Sequence, residues 1–288
     1  MPPPRNRIRR ALGGLGLAAA LLGPSACRST FGAGPPPGAH ENLNAVLWLQ
    51  TAAEYRAATL QAYRSALAYL DRGLADPTWT AAPEQTGDFG ALPPAVILDM
   101  DEAIVRSDRF QAWLVKSDRP FRVKDWNDWV RTGSAEAIPG ALEYVHQAVA
   151  RHVKIFYVTN RSVEVKAASL ANLRRLGFPI ENAEDLLTQH ERPGWDSDKS
   201  SRRALLGRTH RIVQIIGDNL NDFTSGARTS PEQRRALARR HAGFWGSRWI
   251  LLPNPAYGGW EGALYGFDRD LSRDEILARK HRQLRPWR

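Results

Sequence analysis

The chain has 288 residues, 43% of them hydrophobic, and a formal net charge of +10 at pH 7. Its single cysteine excludes a disulfide framework, so stability outside the cytoplasm has to come from packing. The positive charge raises the hypothesis of nucleic-acid binding, but removing the four arginines of the N-terminal segment lowers +10 to +6. No nucleic-acid-binding motif accompanies the remaining charge, so we predict no nucleic-acid partner.

The N-terminus has the layout of an export signal. Residues 1–26 hold four arginines, an apolar run that is too short to span a bilayer as a lasting helix, and small residues just before Cys27. Cys27 stands where a bacterial lipoprotein signal places its lipidated residue, so we predict a lipid anchor and an exported outer-membrane lipoprotein that faces the periplasm or the surface. Pro24 is unusual at its position, which keeps simple cleavage and a secreted or periplasmic protein open. Residues 27–41 are rich in Gly and Pro and predict a flexible tether.

The rest of the chain alternates between helix-like and strand-like patterns. Residues 42–74 carry apolar side chains at three- and four-residue steps, which predicts an N-terminal helical extension. Strands are predicted at 95–98, 153–158, 212–216 and 249–252, and further helices at 139–151 and 162–176. This alternation predicts one α/β domain over residues 42–270, in which helices cover both faces of a parallel sheet. The basic tail at 271–288 is expected either to meet anionic lipid or to be solvated and disordered.

Two carboxylates follow the first predicted strand. Residues i and i+2 of an extended chain point the same way, so Asp99 and Asp101 are expected to face one pocket at the strand end. Two acids at that place repel each other unless a cation lies between them or one of them holds a proton. A hard divalent ion with oxygen ligands, foremost Mg²⁺, would resolve that conflict. The pair alone is a weak signal, because helix caps and turns also favour Asp.

Polar residues also follow the other predicted strands. Thr159 and Asn160 come directly after the second strand, Asp218 follows the third, and Lys199 lies in the first turn of a helix-like stretch between them. Each has a structural alternative: Thr159 as a helix cap, Asp218 as a turn residue and Lys199 as a solvated cation. A cation is not what the helix dipole favours at an N-terminus, which favours a functional Lys199.

These motifs, in this order, resemble the haloacid dehalogenase (HAD) superfamily of phosphohydrolases. The closest resemblance is to its class C acid phosphatases, the bacterial lipoprotein acid phosphatases and 5'-nucleotidases. It is carried by D-x-D-E at 99–102, T-N-R at 159–161, G-D-N-L-N-D-F at 217–223 and LPNPAYGGWEGAL at 252–264, and it covers about residues 45–266. The resemblance implies a Rossmann-like HAD fold with a small cap around residues 105–135. It also implies a Mg²⁺-dependent hydrolysis of phosphomonoesters, foremost nucleoside 5'-monophosphates. Members of the family can be dimers, so a second copy of the chain is an expected partner.

The resemblance assigns the central roles. Asp99 is expected to be the nucleophile that forms an aspartyl-phosphate, and Asp101 the general acid and then the general base. Thr159 is expected to bind a phosphoryl oxygen, and Lys199 to neutralise charge on the phosphate and on the nucleophile. Mg²⁺ is expected on the Asp99 carboxylate, the Asp101 backbone carbonyl and Asp218.

The remaining assignments concern the edge of the site. Asp222 is expected either to support the metal ligands or to complete the acidic site, and Asn160 to contact substrate. Phe121 and Tyr257 match the aromatic pair that can clamp a nucleotide base in the family, and ring stacking of this kind tolerates different bases. The structural alternative is that the aromatic side chains of this Trp-rich chain mostly fill a core.

The chain departs from the family just after the acidic motif. The family usually has Thr or Ser there and then a segment resembling L-D-N-S-x-Y, whereas this chain has Ala103 and then IVRSD at 104–108. The departure leaves the nucleophile and acid untouched and bears on loop geometry and substrate preference. We expect Glu102 to be structural and Asp108 to be a solvated surface or loop residue.

Two functions from different classes follow from these patterns. The first is a Mg²⁺-dependent acid phosphatase. The second is a non-catalytic surface lipoprotein that keeps the fold and binds a nucleotide or a metal without turnover. A degenerate binder would be expected to have lost Asp99 or Asp101, and both are present.

Overall fold

The structure is a computed structural model that describes residues 40–287. Its α-helices are α1 (Leu43–Thr51), α2 (Ala53–Ala75), α3 (Asp108–Ser117), α4 (Val123–Arg131), α5 (Ala141–Val149), α6 (Lys166–Leu176), α7 (Ser200–Gly207), α8 (Leu220–Phe223), α9 (Pro231–Arg240), α10 (Gly259–Leu264) and α11 (Arg273–Gln283). Its strands are β1 (Pro94–Leu98), β2 (Val105–Arg106), β3 (Glu136–Ala137), β4 (Lys154–Ser162), β5 (Leu186–Gln189), β6 (Arg211–Gly217) and β7 (Trp249–Leu251).

Five strands form a parallel sheet in the order β5-β4-β1-β6-β7. The central strand β1 pairs with β4 on one side, where Val96 lies opposite Ile155, and with β6 on the other. Because all strands run the same way, the carboxyl ends of β1, β4 and β6 meet at one edge of the sheet. The predicted parallel sheet is confirmed, and β5 is a strand that the sequence patterns did not predict.

Helices cover both faces of this sheet, which explains why its strands are apolar on both sides. Helices α2, α5 and α6 pack on one face around the buried side chains Tyr63, Leu70, Tyr144 and Leu173. The other face buries Ile97, Leu206, Phe223 and Trp249. Full burial of a large apolar side chain contributes about 1.5–3 kcal/mol, so the two clusters hold the sheet between its helix layers.

Two predicted elements differ in their bounds. The N-terminal extension is two helices rather than one, because Ala52 adopts an extended backbone with ψ of 128° between α1 and α2. Strand β4 runs on to Ser162, so Thr159 lies inside the strand. Ser162 then caps the short helical turn that follows, since its side chain accepts a hydrogen bond from the Glu164 amide at 3.1 Å. The alternative of Thr159 as the helix cap is therefore wrong.

A small cap lies between β1 and α5 along the chain. It consists of α3, α4 and the antiparallel pair of β2 and β3. An aromatic cluster joins α3 to α4, with the ring of Phe110 5.1 Å from Trp126 and 5.7 Å from Trp129. Phe110 is buried, so this aromatic side chain belongs to the core of the cap.

The central part of the basic tail is helical, since α11 spans Arg273–Gln283. Helix α11 begins at the capping residue Ser272, whose hydroxyl accepts from the Glu275 amide at 3.3 Å. Lys280 in its last turn binds Glu41 at 2.8 Å and Glu261 at 2.5 Å, so the helix is fixed against the start of the domain and against α10. These contacts join residues distant in sequence, so the disordered alternative does not hold for α11.

Among residues 40–287, no helix is long and apolar enough to cross a membrane. The predicted signal peptide, Cys27 and most of the predicted tether lie outside the described residues.

Candidate active site

The acidic pair leaves the sheet at the end of β1. The Asp99 amide still donates to the Ile216 carbonyl of β6 at 2.9 Å, so Asp99 continues the strand. The chain then turns sharply, because the amides of Ile104 and Val105 both donate to the Met100 carbonyl at 2.9 Å. Asp99 is only 8% exposed, and its carboxylate lies beside Lys199, Asp218 and Asp222 at the carboxyl ends of β1 and β6, a region that we call the crevice.

Glu102 shapes this turn and not the crevice itself. Its φ of 58° is a left-handed conformation that few residues other than glycine adopt, and its side chain is buried. One carboxyl oxygen accepts from the Ser107 amide at 2.8 Å and from the Ser107 hydroxyl at 2.5 Å. Burial raises the pKa of Glu102 to about 7, while the bonds from Ser107 act against this. Its contacts agree with the structural role expected for it.

Lys199 lies between two carboxylates of the crevice. Its ammonium contacts Asp99 and binds Asp222 at 2.6 Å, and the whole side chain is buried. It occupies the residue before α7, where the chain enters the helix. Burial acts to lower the pKa of Lys199, but Asp222 and Asp99 outweigh it, so the pKa is raised and the ammonium stays charged.

Three carboxylates form one acidic cluster at the ends of β1 and β6. Asp99, Asp218 and Asp222 each bring an oxygen within 4.8 Å of the others. Burial and mutual repulsion raise the pKa of Asp99, which Lys199 opposes. Burial and the same repulsion also raise the pKa of Asp218. When the three carboxylates are ionised, their charge exceeds that of Lys199, the ammonium that contacts them among the described residues.

The donor set fits a hard divalent cation, because it consists of oxygens and carries excess negative charge. The two oxygens of Asp222 are occupied, one by Lys199 and one by the Asn219 amide at 2.8 Å. Asp218 accepts from Asn254 through one oxygen, at 2.7 Å, and has its other oxygen for a cation. Asp99 and Asp218 are thus better placed than Asp222 to hold a metal.

The close approach of Asp222 explains the glycine at the end of β6. A Cβ built on Gly217 lies 2.6 Å from the Asp222 carboxyl carbon, closer than any contact such atoms make. Only glycine lets the Asp222 side chain fold back over the strand end and reach both Lys199 and the Asn219 amide.

The residues near the carboxyl end of β4 are fixed by a buried arginine. Thr159 is 1% exposed, and its hydroxyl accepts from the Arg161 amide at 3.1 Å. Arg202 donates to the Thr159 carbonyl at 2.6 Å and to the Asn160 side-chain oxygen at 2.7 Å. The Asn160 amide nitrogen donates to the Ser197 carbonyl at 3.1 Å, so this side chain ties β4 to the segment before Lys199. Contact of Asn160 with substrate stays a prediction.

Phe121 and Tyr257 lie in separate aromatic clusters. The Phe121 ring is 56% exposed and packs 6.1 Å from Trp126 in the cap. Tyr257 is partly buried against a cluster of Leu49, Tyr55 and Ala256, and its hydroxyl lies 3.3 Å from that of Ser107. Tyr257 is thereby tied to the turn after the acidic pair, and Phe121 offers an open apolar face.

The altered loop after the acidic motif is held by an ion pair. The Arg106 guanidinium donates two hydrogen bonds of 2.9 Å to the Asp108 carboxylate, and Asp108 is 5% exposed. Arg106 also donates to the Leu49 carbonyl at 3.2 Å, which attaches the loop to α1. The expectation of a solvated Asp108 is therefore wrong, because a partner two residues earlier allows its carboxylate to be buried.

Three further residues of the site were missed by the sequence analysis. Arg161 binds Asp101, Arg202 holds the end of β4 and Asn254 binds Asp218. A signal existed for Arg161, since it stands two residues after Thr159 on an extended strand and so shares its side of the sheet. Arg202 and Asn254 reach the site from elements whose position only the folded chain defines.

Known proteins resemble this chain in sequence. The family model described as HAD superfamily, subfamily IIIB (Acid phosphatase) matches residues 35–260. A stem 28 kDa glycoprotein of Glycine max is 28% identical over 139 residues, which are 46% of this chain and 47% of that protein. A stem 31 kDa glycoprotein of the same plant is 32% identical over 134 residues, 46% of each chain. The chain matches about half the length of these curated relatives.

Solved structures resemble it over most of its length. The class C acid phosphatase from Bacillus anthracis, solved with tungstate bound, superposes with a TM-score of 0.76 at 34% identity. The match covers 86% of this chain and 98% of that chain. A second structure of the Bacillus anthracis enzyme gives the same values.

Proposed function

The chain belongs to subfamily IIIB of the HAD superfamily, the acid phosphatases, and from that premise we propose how its residues hydrolyse phosphomonoesters. The observation that carries the proposal is the buried contact of Lys199 with both Asp99 and Asp222 beside Asp218. Such a site pairs a nucleophile with a fixed positive charge for the phosphate. The intact acidic set favours this enzyme over a non-catalytic binder.

In the first step an oxygen of Asp99 attacks phosphorus, and the bond from phosphorus to the leaving oxygen breaks. Asp101 gives its proton to that oxygen, which departs as an alcohol. Water then attacks the aspartyl-phosphate and gives a proton to Asp101, and phosphate leaves from Asp99. The Thr159 hydroxyl donates to a phosphoryl oxygen, while the Lys199 ammonium neutralises charge as the transferring group passes between oxygens.

We propose Mg²⁺ as the cofactor, held by the Asp99 and Asp218 carboxylates and the Asp101 backbone carbonyl. Bound there, it supplies positive charge to the phosphoryl oxygens and relieves the repulsion among the carboxylates. Asp222 supports this set through Lys199 and the Asn219 amide. The tungstate in the Bacillus anthracis relative is a tetrahedral oxyanion of the same shape as phosphate, which supports an oxyanion site here.

We propose nucleoside 5'-monophosphates as the preferred substrates. The open face of Phe121 and the partly buried Tyr257 ring are the aromatic surfaces that we expect to contact a base. Sugar phosphates lack a ring that can stack and are expected to bind more weakly.

The test measures phosphate release at pH 5 to 7 from nucleoside monophosphates and sugar phosphates, with Mg²⁺ or with a chelator. We expect activity that falls by at least about 100-fold on chelation and returns with Mg²⁺, because the ion offsets charge in the transition state. We expect kcat/KM for nucleotides to exceed that for sugar phosphates by about 10-fold, roughly one stacking contact. Activity that persists in the chelator would contradict the role of the metal. Equal kcat/KM values for nucleoside monophosphates and sugar phosphates would contradict the substrate preference.

The location of the protein is a separate proposal that rests on the sequence. We propose that Cys27 carries a lipid anchor and that the enzyme is an exported outer-membrane lipoprotein. Full-length protein expressed in a bacterial host should partition with membranes, and Cys27→Ser should move it to the soluble fraction. Equal partition of the two forms would contradict the anchor. The homodimer implied by the resemblance stays a prediction that light scattering of the Cys27→Ser protein would test.

A further inference from the structure

A buried arginine holds both carboxyl oxygens of Asp101. The Arg161 Nε donates to Oδ2 of Asp101 at 2.9 Å and Nη2 donates to Oδ1 at 2.7 Å. Arg161 is 2% exposed, whereas the Asp101 carboxylate keeps some access to the crevice. Two parallel bonds fix the plane of a carboxylate as well as its distance, which a single bond from a lysine does not do.

The guanidinium is itself fixed on its other sides. Its Nη1 donates to the Ser169 hydroxyl of α6 at 3.1 Å. The rings of Trp126 and Trp129 on the cap helix α4 lie 5.8 Å and 5.9 Å from its central carbon, within the range of cation–π attraction. Arg161 thus joins the cap and α6 to the side chain of Asp101, and it cannot shift without breaking contacts to both.

We propose that Arg161 is the positioning residue for proton transfer by Asp101, an inference that rests on the proposed role of Asp101 as general acid. Arg161 holds the plane of the Asp101 carboxyl group, and one Asp101 oxygen presents its proton to the leaving oxygen. The bond from that oxygen to phosphorus breaks, its electron pair stays on oxygen, and the proton of Asp101 moves onto it. Arg161 touches neither substrate nor phosphorus and acts only through the orientation of the acid.

This role makes a prediction that depends on the leaving group. An alkyl alcohol leaves as a strongly basic alkoxide unless it is protonated, so its departure needs a well-placed acid. A nitrophenolate is a weak base and leaves without a proton. Loss of acid positioning should therefore slow hydrolysis of alkyl phosphates and spare nitrophenyl phosphate, whereas general damage to the site should slow both.

The test compares Arg161→Lys and Arg161→Met with wild type on p-nitrophenyl phosphate and glycerol phosphate. The readout is kcat/KM, which reports steps up to the loss of the leaving group and not the later hydrolysis of the aspartyl-phosphate. For Arg161→Met we expect about a 100-fold fall on glycerol phosphate and less than about a 3-fold fall on nitrophenyl phosphate. Arg161→Lys keeps the charge but not the two parallel bonds, so it should show the same selectivity with a smaller fall.

Arg202 provides the matched control. It is a buried arginine of the same site, but it holds Thr159 and Asn160 rather than Asp101. Arg202→Met should therefore lower kcat/KM for both substrates by similar factors. An equal fall for both substrates in each Arg161 variant would overturn the positioning role.

Asp101→Asn separates this inference from the proposed function. If Asp101→Asn is selective against glycerol phosphate while folded Arg161 variants are not, the acid role stands and the positioning role fails. If Asp101→Asn itself shows no selectivity, the acid role fails and the inference fails with it. Should Arg161→Met not fold, the Arg161→Lys values decide.

Discussion

Asp99→Asn should lower phosphatase activity by at least about 1,000-fold and at the same time stabilise the metal-free protein. The activity is lost because an amide oxygen does not displace the leaving group to form the proposed aspartyl-phosphate. The stability rises because burial and the neighbouring carboxylates raise the pKa of Asp99, so its ionised form is unfavourable in the folded chain at neutral pH. We expect a gain of about 1–3 kcal/mol in the free energy of unfolding.

The measurement is urea unfolding in a chelator at pH 7, together with the rate of phosphate release with Mg²⁺. Asp185→Asn is the matched control, since Asp185 is equally buried but satisfied by Lys154 at 2.9 Å and by the Glu181 and Asn182 amides. It should lose stability and keep activity. A less stable metal-free Asp99→Asn protein, or one with more than about 1% of wild-type activity, would contradict the proposed nucleophile in its crowded acidic site.

The Asn variants of two buried aspartates are expected to change the free energy of unfolding in opposite directions. Burial alone therefore does not determine whether an aspartate stabilises the fold. Both Asp99 and Asp185 lie under the protein surface, but only Asp185 has amide donors and an ammonium that match its charge. The cluster of Asp99, Asp218 and Asp222 keeps an imbalance that is useful once a cation and a phosphate enter. The function of the site is therefore indicated by unfavourable electrostatics among the protein's own carboxylates.

The sequence predicted the strand ends and what stands on them, because that information is local. Strand β1 and Asp99 are adjacent in the chain, and the two-residue repeat of an extended segment places Asp101 without knowledge of the fold. Parallel pairing then brings Thr159 and Asp218 to the same edge. Each of these placements follows from a neighbour in sequence or from one rule about parallel sheets.

The errors concern side chains whose partners are decided by tertiary packing. Asp108 was expected in solvent because an acid in a loop usually is, but Arg106 and α1 bury it. For the basic tail, disorder was one of two expected alternatives, but Lys280 binds Glu41 and Glu261 and so fixes its helical part. Arg161 was assigned no role within the T-N-R motif, although its guanidinium binds Asp101 from β4, the strand that pairs with β1.

Lys199→Gln should have the largest effect on stability. Its ammonium is the cation that contacts both Asp99 and Asp222, and its removal leaves buried charges facing one another. Breaking a buried ion pair in this way costs about 3–5 kcal/mol, which urea unfolding in a chelator will measure. Mg²⁺ should stabilise Lys199→Gln more than wild type, because the carboxylates of the variant lack the ammonium that offsets part of their negative charge. Activity should fall by at least about 100-fold, since the phosphate loses its fixed positive partner.

Lys154→Gln is the control for Lys199→Gln. It distinguishes the loss of an ion pair from the loss of a positive charge in the active site. Lys154 also contacts two carboxylates, Glu181 and Asp185, but it is partly exposed at the far end of β4. Lys154→Gln should lower the free energy of unfolding by about 1 kcal/mol, Mg²⁺ should alter this loss little, and activity should stay intact.

The double variant Asp99→Asn with Lys199→Gln tests directly why Lys199→Gln is unstable. If repulsion between carboxylates is what destabilises Lys199→Gln, removing the Asp99 charge will recover part of the lost stability, so the two effects will not add. Additive effects would mean that Lys199 stabilises the fold by packing alone.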